Sequence, residues 1–500
     1  PSDRTGVVAF KSRLPLGTVL LLPHARYNWG YFFAGGAGLA NRNIPTHRGR
    51  LSGGSSSVNG MVYMRGHPRD YDEWAEQGNP GWGWSDVLPT FIRQENRESG
   101  ATPLHGTGGE INVAPLRTLN PVTRAFLAAT EETQHPRNGD FNGVVQDGFG
   151  PWEVTQKNGQ RWNSARAFIH PIIGRRNLEV LCDTETVRIE FTGKQATGVI
   201  IRRFDREIRL LARREVVLSA GAYNSPKLLM LSGIGDAQEL KKFDIALVHH
   251  LPGVGKNLQD HPTAWIEYED ISRQSAALNA RTIPRYAMAA LAYLFARRGA
   301  FTSNAVEAGG FVRTQPNYDR PDVQYVFMPA RRAPGQFLPR GHGYTLMPIL
   351  LRPRSRGRVE LASPRPEDKP KLHPNFLDNP EDVDTLVRGT RLGRQILQAP
   401  AFAPYRGREL NPGEHTQSSE DIEQFLRATI TTAFHPVGTC KMAPAGDPQS
   451  VVDEKLRVRG TRGLRVVDVS IMPTIIGGNT NAPAMMIGER AATFIANDTR

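Results

Sequence analysis

Cysteine is scarce in this chain: Cys182 and Cys440 are the only two, and they lie far apart. Such a pair makes neither a disulfide framework nor a metal site, and burial of each thiol is the expectation. Long apolar runs are also missing. No window of about 20 apolar residues exists, so no membrane-spanning helix is predicted. The longest apolar stretch, residues 287–296, stops at Arg297-Arg298 and reads as a core or interface helix. The net charge is +13, yet basic residues occur only in short groups such as Arg175-Arg176, Arg202-Arg203, Lys241-Lys242 and Arg331-Arg332. Without a longer basic run, a zinc pattern or an RNP motif, nucleic acid is not an expected partner. The basic surface reads as solvated, and it also suits an anionic membrane surface. His249, His250 and His261 lack a metal-ligand spacing to any partner and read as structural. No signal peptide is visible, and the chain opens at Pro1 without a methionine, so whatever precedes it is hidden.

What is present is ordinary globular composition, 39% hydrophobic and 22% charged over 500 residues, enough for at least two domains. Plentiful Gly and Pro point to loops and turns rather than a helical bundle. Residues 1–48 read mostly as loop. The stretch Gly49-Arg50-Leu51-Ser52-Gly53-Gly54-Ser55-Ser56-Ser57-Val58-Asn59-Gly60 is rich in small residues. Its backbone can approach a ligand closely, and its amides could line an anion site if a helix starts at Ser55 to Ser57. Residues 86–92 are a candidate helix. Strand candidates at residues 178–181, 187–191, 198–201 and 215–218 predict a three-stranded antiparallel meander returning to a buried strand. Ser219-Ala220-Gly221-Ala222-Tyr223-Asn224-Ser225-Pro226 then reads as a glycine turn into a helix with Ser225 as its cap, a geometry that receives a phosphate. That helix should end at Ser232-Gly233. Residues 262–430 alternate strand-like runs (323–328, 344–351) with a helix at 382–397. Residues 465–470 read as another buried strand, and a last helix covers 482–495.

Two segments near the C-terminus carry the chemistry: Thr432-Ala433-Phe434-His435-Pro436 and Gly477-Gly478-Asn479-Thr480-Asn481. A histidine beside a proline has its direction set by the bend and can take a proton at neutral pH. An amide in a glycine turn can donate to the oxygen left behind. The pair fits oxidation of an alcohol if a hydride acceptor stands nearby.

In this order, five segments resemble the glucose–methanol–choline (GMC) oxidoreductases: residues 49–66, residues 219–235, Leu251-Pro252-Gly253-Val254-Gly255 running on to Asn257-Leu258-Gln259-Asp260-His261, the histidine segment, and Val466-Val467-Asp468 with the turn of Asn479. The likeness covers essentially the whole chain and leans toward the choline dehydrogenase and alcohol dehydrogenase branch. It implies FAD, an α/β plus α+β fold, and two discontinuous domains. A doubly wound, glutathione-reductase-like FAD-binding domain would comprise 1–70, 150–261 and 431–500. A substrate-binding domain with an antiparallel sheet would comprise 71–149 and 262–430. By the same resemblance His435 and Asn479 are the catalytic pair. Leu51, Gly53, Gly54 and Ser55 cross the pyrophosphate, Asn59, Gly60, Met61 and Val62 run along the isoalloxazine, Val187 meets the adenine, and Asp468 borders the ribityl chain. Valine at position 58 offers no nucleophilic nitrogen where some members attach the flavin, so FAD is expected to be non-covalent.

The resemblance further implies transfer of a hydride from the alcohol carbon to flavin N5, then of electrons to a quinone, another carrier or oxygen. Glu307 could face a cationic substrate such as choline, or be salt-bridged within its domain. The chain departs from the family at its start: it contains no Gly-x-Gly-x-x-Gly, and Pro1-Ser2-Asp3-Arg4 reads like the text that follows that unit. A truncation or a true loss would each leave the FAD domain N-terminally incomplete. The rival readings are a flavin-containing hydroxynitrile lyase, and an inactive chain that binds no FAD. The expected setting is cytoplasmic, or peripheral to the inner face of a membrane.

Overall fold

The computed structural model describes Ser2, residues 4–332 and residues 339–498. Pro1 and Asp3 of the opening segment lie outside them. The dominant element is an eight-stranded antiparallel sheet. Its main path runs Arg406–Asn411, Ile266–Asp270, Gly343–Leu350, Val323–Met328, Ala308–Val312, Gly148–Pro151. The central strands Gly343–Leu350 and Val323–Met328 are buried on both faces, which is why they read as largely continuous apolar runs instead of alternating ones. Helices Pro121–Glu132 and Pro380–Gln398 cover one face, where Phe126 stacks on Phe327 at 4.5 Å.

Two short strands attach to this sheet and decide where the chemistry lies. Pro262–Thr263 pairs antiparallel with Thr431–Thr432, so Pro262 faces Thr432. That pairing brings His261 and His435 to the same end of the sheet.

The meander forms with different bounds from those expected. Its strands are Glu185–Thr192, Gln195–Arg203 and Arg206–Leu211. Residues 178–181 are not a strand, because no neighbouring strand among the described residues offers them a ladder. The third strand was invisible to pattern reading: all six of its residues are exposed, so no alternation marks it. Of the doubly wound arrangement, Val216–Leu218 pairs in parallel with Leu464–Val466. Residues 1–48 hold more structure than a loop. The helix Gly6–Arg13 docks Val8 near a small cluster of Leu21, Leu51 and Val58.

The helix after Val216–Leu218 runs Gly221–Leu231, so it starts earlier than expected and Ser225 is no cap. Ser225 instead donates its hydroxyl to Asp468 Oδ2 at 2.5 Å and accepts from the amide of Ala220. The helix ends as foreseen, with Gly233 at φ +84°. Cys440 is buried, whereas Cys182 is partly exposed beside Ser52, contrary to the expectation for it.

Candidate active site

His435 sits in a tight turn that the backbone holds under strain. Phe434 before it has φ +67°, a left-handed conformation that a bulky side chain seldom adopts. Two hydrogen bonds and a ring contact hold it there. The Phe434 amide donates to Thr432 Oγ1 at 2.7 Å, its carbonyl accepts from Arg48 at 2.7 Å, and its ring stacks on His47. Asp260 secures the next residue. Its Oδ1 accepts the amides of both His435 and His261 at 2.8 Å, and its Oδ2 accepts the Thr432 hydroxyl at 2.6 Å.

The side chains then form one continuous hydrogen-bonded row. Gln324 Nε2 donates to Asn479 Oδ1 at 3.2 Å, which turns the Asn479 amide nitrogen toward His435 Nε2, 3.1 Å away. His435 Nδ1 lies 2.9 Å from His261 Nδ1, and His261 Nε2 lies 3.1 Å from the Leu351 carbonyl. A carbonyl only accepts, so His261 carries its proton on Nε2. Its Nδ1 is then an acceptor, so His435 must donate from Nδ1. The lone pair of His435 is therefore on Nε2, facing Asn479.

Both imidazoles are neutral at neutral pH. Burial depresses His435 well below its ordinary range, with His261 and Arg48 adding to the effect. Burial takes His261 down to about 3. Burial acts oppositely on Asp260, raising its carboxyl to about 6 despite its three donors. These shifts fix a pH dependence of stability. Unfolding lets both histidines bind protons below their ordinary 6.5, so stability falls as pH drops from 6.5. Each imidazole contributes ~1.4 kcal/mol per pH unit. From about 6 down to 3.8, the folded protein's uptake at Asp260 cancels one of the two. Stability read from urea unfolding should therefore fall gradually from about pH 6.5 toward 4, with a net slope that approaches that of one imidazole, ~1.4 kcal/mol per pH unit. Midpoints flat through this range would show that the histidines are not buried neutral.

The turn carrying Asn479 is fixed from beneath. Asp70 Oδ2 accepts the Gly477 amide at 2.6 Å, and Oδ1 meets Arg352 at 2.6 Å and Arg320 at 3.2 Å. A Cβ on Gly477 would lie 2.6 Å from the Arg352 guanidinium, so a side chain there would have to displace the partner of Asp70. Asp70, Gln324, Asp260 and His261 were all missed as site residues. One signal was available: His261, like His435, immediately precedes a proline.

The small-residue loop lies on the other side of the site. Gly53 has φ +80° and Gly54 φ +54°, and nothing stands within 4 Å of where a Gly54 side chain would start. Ser55 opens no long helix; Gly54–Ser57 is a single 3-10 turn. The segment after Arg161 braces the loop, with Asn163 donating to Ser57 Oγ and the Ser164 amide to Ser56 Oγ. Arg161 is fully buried and has no carboxylate partner among the described residues. It donates to Ser56 O, Asn59 Oδ1, Pro15 O and Thr18 Oγ1, its Nε has no acceptor, and burial lowers it to about 9. An anion at the open face of the loop would offset that buried charge.

Beyond the loop, Met61 adopts φ +60° with its amide on Asn59 Oδ1. Gly60 is approached closely by Val306. Met61, Val62 and Met64 share one apolar cluster with Trp152, Phe311, Ile349 and Leu351. That cluster joins this stretch to the strand whose Leu351 carbonyl anchors His261.

Val187 falls at a β-bulge on the edge strand of the meander, opposite the break between Ile200 and Ile201. Its backbone is thus left out of the ladder with Gln195–Arg203. Asp468 is saturated by protein donors: the Gly221 amide, the Ser225 hydroxyl and the Ser470 amide. Glu307 is buried and hydrogen-bonded to the Asn120 amide, Thr123 and Ser303 at 2.7 Å each, and among the described residues it makes no salt bridge, one of its two expected roles.

A parallel strand pair leading into a helix, an open glycine loop over a buried cation, and a histidine–amide pair suit a cofactor-dependent oxidoreductase. The GMC oxidoreductase N-terminal family model matches residues 31–263, and its C-terminal counterpart matches residues 353–488. An alcohol dehydrogenase [acceptor] of Pseudomonas putida is 44% identical over 96% of this chain and 88% of its own length. Human mitochondrial choline dehydrogenase is 41% identical over 98% of this chain and 82% of its own. Among solved structures, pyridoxine 4-oxidase from Mesorbium loti superposes with a TM-score of 0.87 at 28% identity, covering 99% of this chain and 93% of that one. The chain belongs to the GMC oxidoreductases, FAD-dependent enzymes acting on CH–OH groups.

Proposed function

We propose that this enzyme oxidises an uncharged alcohol to an aldehyde or ketone, with His435 as the base and Asn479 as the oxyanion donor. The observation that carries the reading is the direct contact of His435 Nε2, a lone pair, with the Asn479 amide nitrogen, a donor. A hydroxyl is the small group that can enter between them and satisfy both. Its O–H donates to Nε2 while its oxygen accepts from Nδ2. As the proton moves to Nε2, charge grows on the oxygen and the Asn479 bond strengthens. His261 acts as a positioning residue, since its Nδ1 accepts the His435 proton that keeps Nε2 bare.

Bound FAD supplies the two-electron acceptor. Leu51, Gly53, Gly54 and Ser55 would hold its pyrophosphate. Asn59, Gly60, Met61 and Val62 would line its ring, and Val187 would meet its adenine through its own backbone. Asp468, with its oxygens already occupied, would act by holding the Ala220–Gly221 turn. Val58 leaves the flavin non-covalent. We assign 1–70, 150–261 and 431–500 to the flavin domain and 71–149 and 262–430 to the substrate domain. His435 and Gln324 then belong to opposite domains that meet at Asn479. Electrons would pass on to a quinone, another carrier or oxygen.

The site's electrostatics favour a neutral substrate over choline. The carboxylates beside it, Asp260, Asp70 and Glu307, are each committed to protein donors. Arg48 and Arg352 bias the two histidines with positive charge. The test is anaerobic bleaching of the flavin by choline and by 3,3-dimethylbutan-1-ol, which has the same shape without the charge. The neutral alcohol should be favoured about tenfold or more, the equivalent of ~1.4 kcal/mol. A preference for choline would discard the substrate class alone. Bleaching by neither, with cleavage of a cyanohydrin instead, would discard the oxidation and leave a lyase.

A further inference from the structure

The helix Ile283–Ala296 has its amphipathicity turned inside out. Tyr293 is buried and meets Phe301, and Tyr286 meets the same ring, so this side faces the protein. The opposite side carries Met288, Leu291 and Phe295 at helical spacing, and these are 66%, 48% and 87% exposed. Ile283 and Leu294 are exposed as well. An apolar stripe of this kind normally marks a contact surface.

Charge identifies the partner. Residues 271–306 contain Arg273, Arg281, Arg285, Arg297 and Arg298 and not one Asp or Glu. Arginines therefore flank the stripe at both ends. A second copy docked face to face would bring these cations against their own equivalents with no acid in the segment to answer them. A surface that is apolar below and anionic at the rim answers both features at once. At 14 residues the helix is too short to cross a bilayer, and no described helix is long and apolar enough to do so.

We propose that Ile283–Ala296 lies in the plane of an anionic lipid surface, with Met288, Leu291 and Phe295 in the acyl boundary and the flanking arginines at the headgroups. The chain runs directly from this helix to the cofactor stretch: Asn304 Nδ2 donates to the Gly60 carbonyl at 2.9 Å, and Val306 packs on Gly60. An apolar alcohol or electron acceptor dissolved in the lipid would thus meet the protein beside the residues assigned to the flavin ring.

The experiment is co-sedimentation of the full chain with vesicles of phosphatidylcholine mixed with phosphatidylglycerol, and with phosphatidylcholine alone. Binding to the mixed vesicles should exceed binding to phosphatidylcholine and weaken with salt. The variant Met288→Ser/Leu291→Ser/Phe295→Ser should lose at least about tenfold in partitioning, with its circular dichroism and flavin content unchanged because these side chains touch solvent. The variant Arg281→Gln/Arg285→Gln/Arg298→Gln should lose the preference for phosphatidylglycerol. Failure of the parent chain to sediment with either vesicle would overturn the proposal. So would undiminished binding by the triple serine variant, or a dimer of the parent chain that this variant converts to monomer without any lipid binding.

Discussion

His435→Ala should slow reduction of the flavin by alcohol about 10²–10⁴-fold, or ~2.7–5.5 kcal/mol of barrier, measured by anaerobic stopped-flow absorbance. The size follows from what alanine removes. Nε2 of His435 is the bare lone pair of a row whose other members are all committed, so no neighbour can replace it. Asn479 has only donors to offer on that side, and Asp260 is held by two amides and a hydroxyl. A contrasting variant sharpens the test. His261→Phe keeps the base but removes the acceptor for its Nδ1 proton, so Nε2 is no longer held bare. That variant should lose about tenfold, an order suited to a positioning group and smaller than loss of the base itself. Flavin reduction by His435→Ala within a factor of about three of the parent would remove the base from the mechanism.

Arg65→Met should destabilise the fold by about 3–5 kcal/mol, read from urea unfolding at constant flavin saturation. Arg65 and Glu95 are both fully buried and meet at 2.8 Å. Arg65 also donates to the Leu104 carbonyl at 2.6 Å, and Glu95 accepts from His105 and the Gly106 amide. Methionine fills the volume but strands a carboxylate that then depends on one histidine for its charge. Adding Glu95→Gln to Arg65→Met should recover part of the loss, since the uncompensated charge is then gone. A double variant no more stable than the single one would mean that the loss comes from packing and not from the charge. The pair matters to the site because Arg65 ends the stretch from Asn59. Its amide is bound to Asn142 and its carbonyl accepts the Tyr71 hydroxyl, so the apolar wall of Met61, Val62 and Met64 is anchored there.

The residues to which we assign the chemistry stand out in the sequence because each brings a rare local pattern. His435 stands before a proline, Asn479 stands after two glycines, and the loop around Gly53 is made of small residues. Elements buried on both faces were legible too, as with Val323–Met328. What could not be read was pairing. His261 reaches His435 only because Pro262 registers against Thr432 across 170 residues of chain. Gln324 reaches Asn479 from the second position of a strand whose other residues are all apolar or aromatic, and nothing in that pattern marks it as a site residue. The strand Arg206–Leu211 and the helix Gly6–Arg13 escaped for a related reason. One has no buried face, and the other owes its place to contacts with Leu21, Leu51 and Val58.

One oxygen of Asp260 serves the amides of both His261 and His435. The two rings are therefore tethered to a common pivot as well as to each other. Thermal jostling that shifts one strand drags its counterpart along, so the gap that dictates which nitrogen stays bare survives while the couple rocks as a unit. Substrates of uneven bulk can push the assembly sideways without scrambling its polarity.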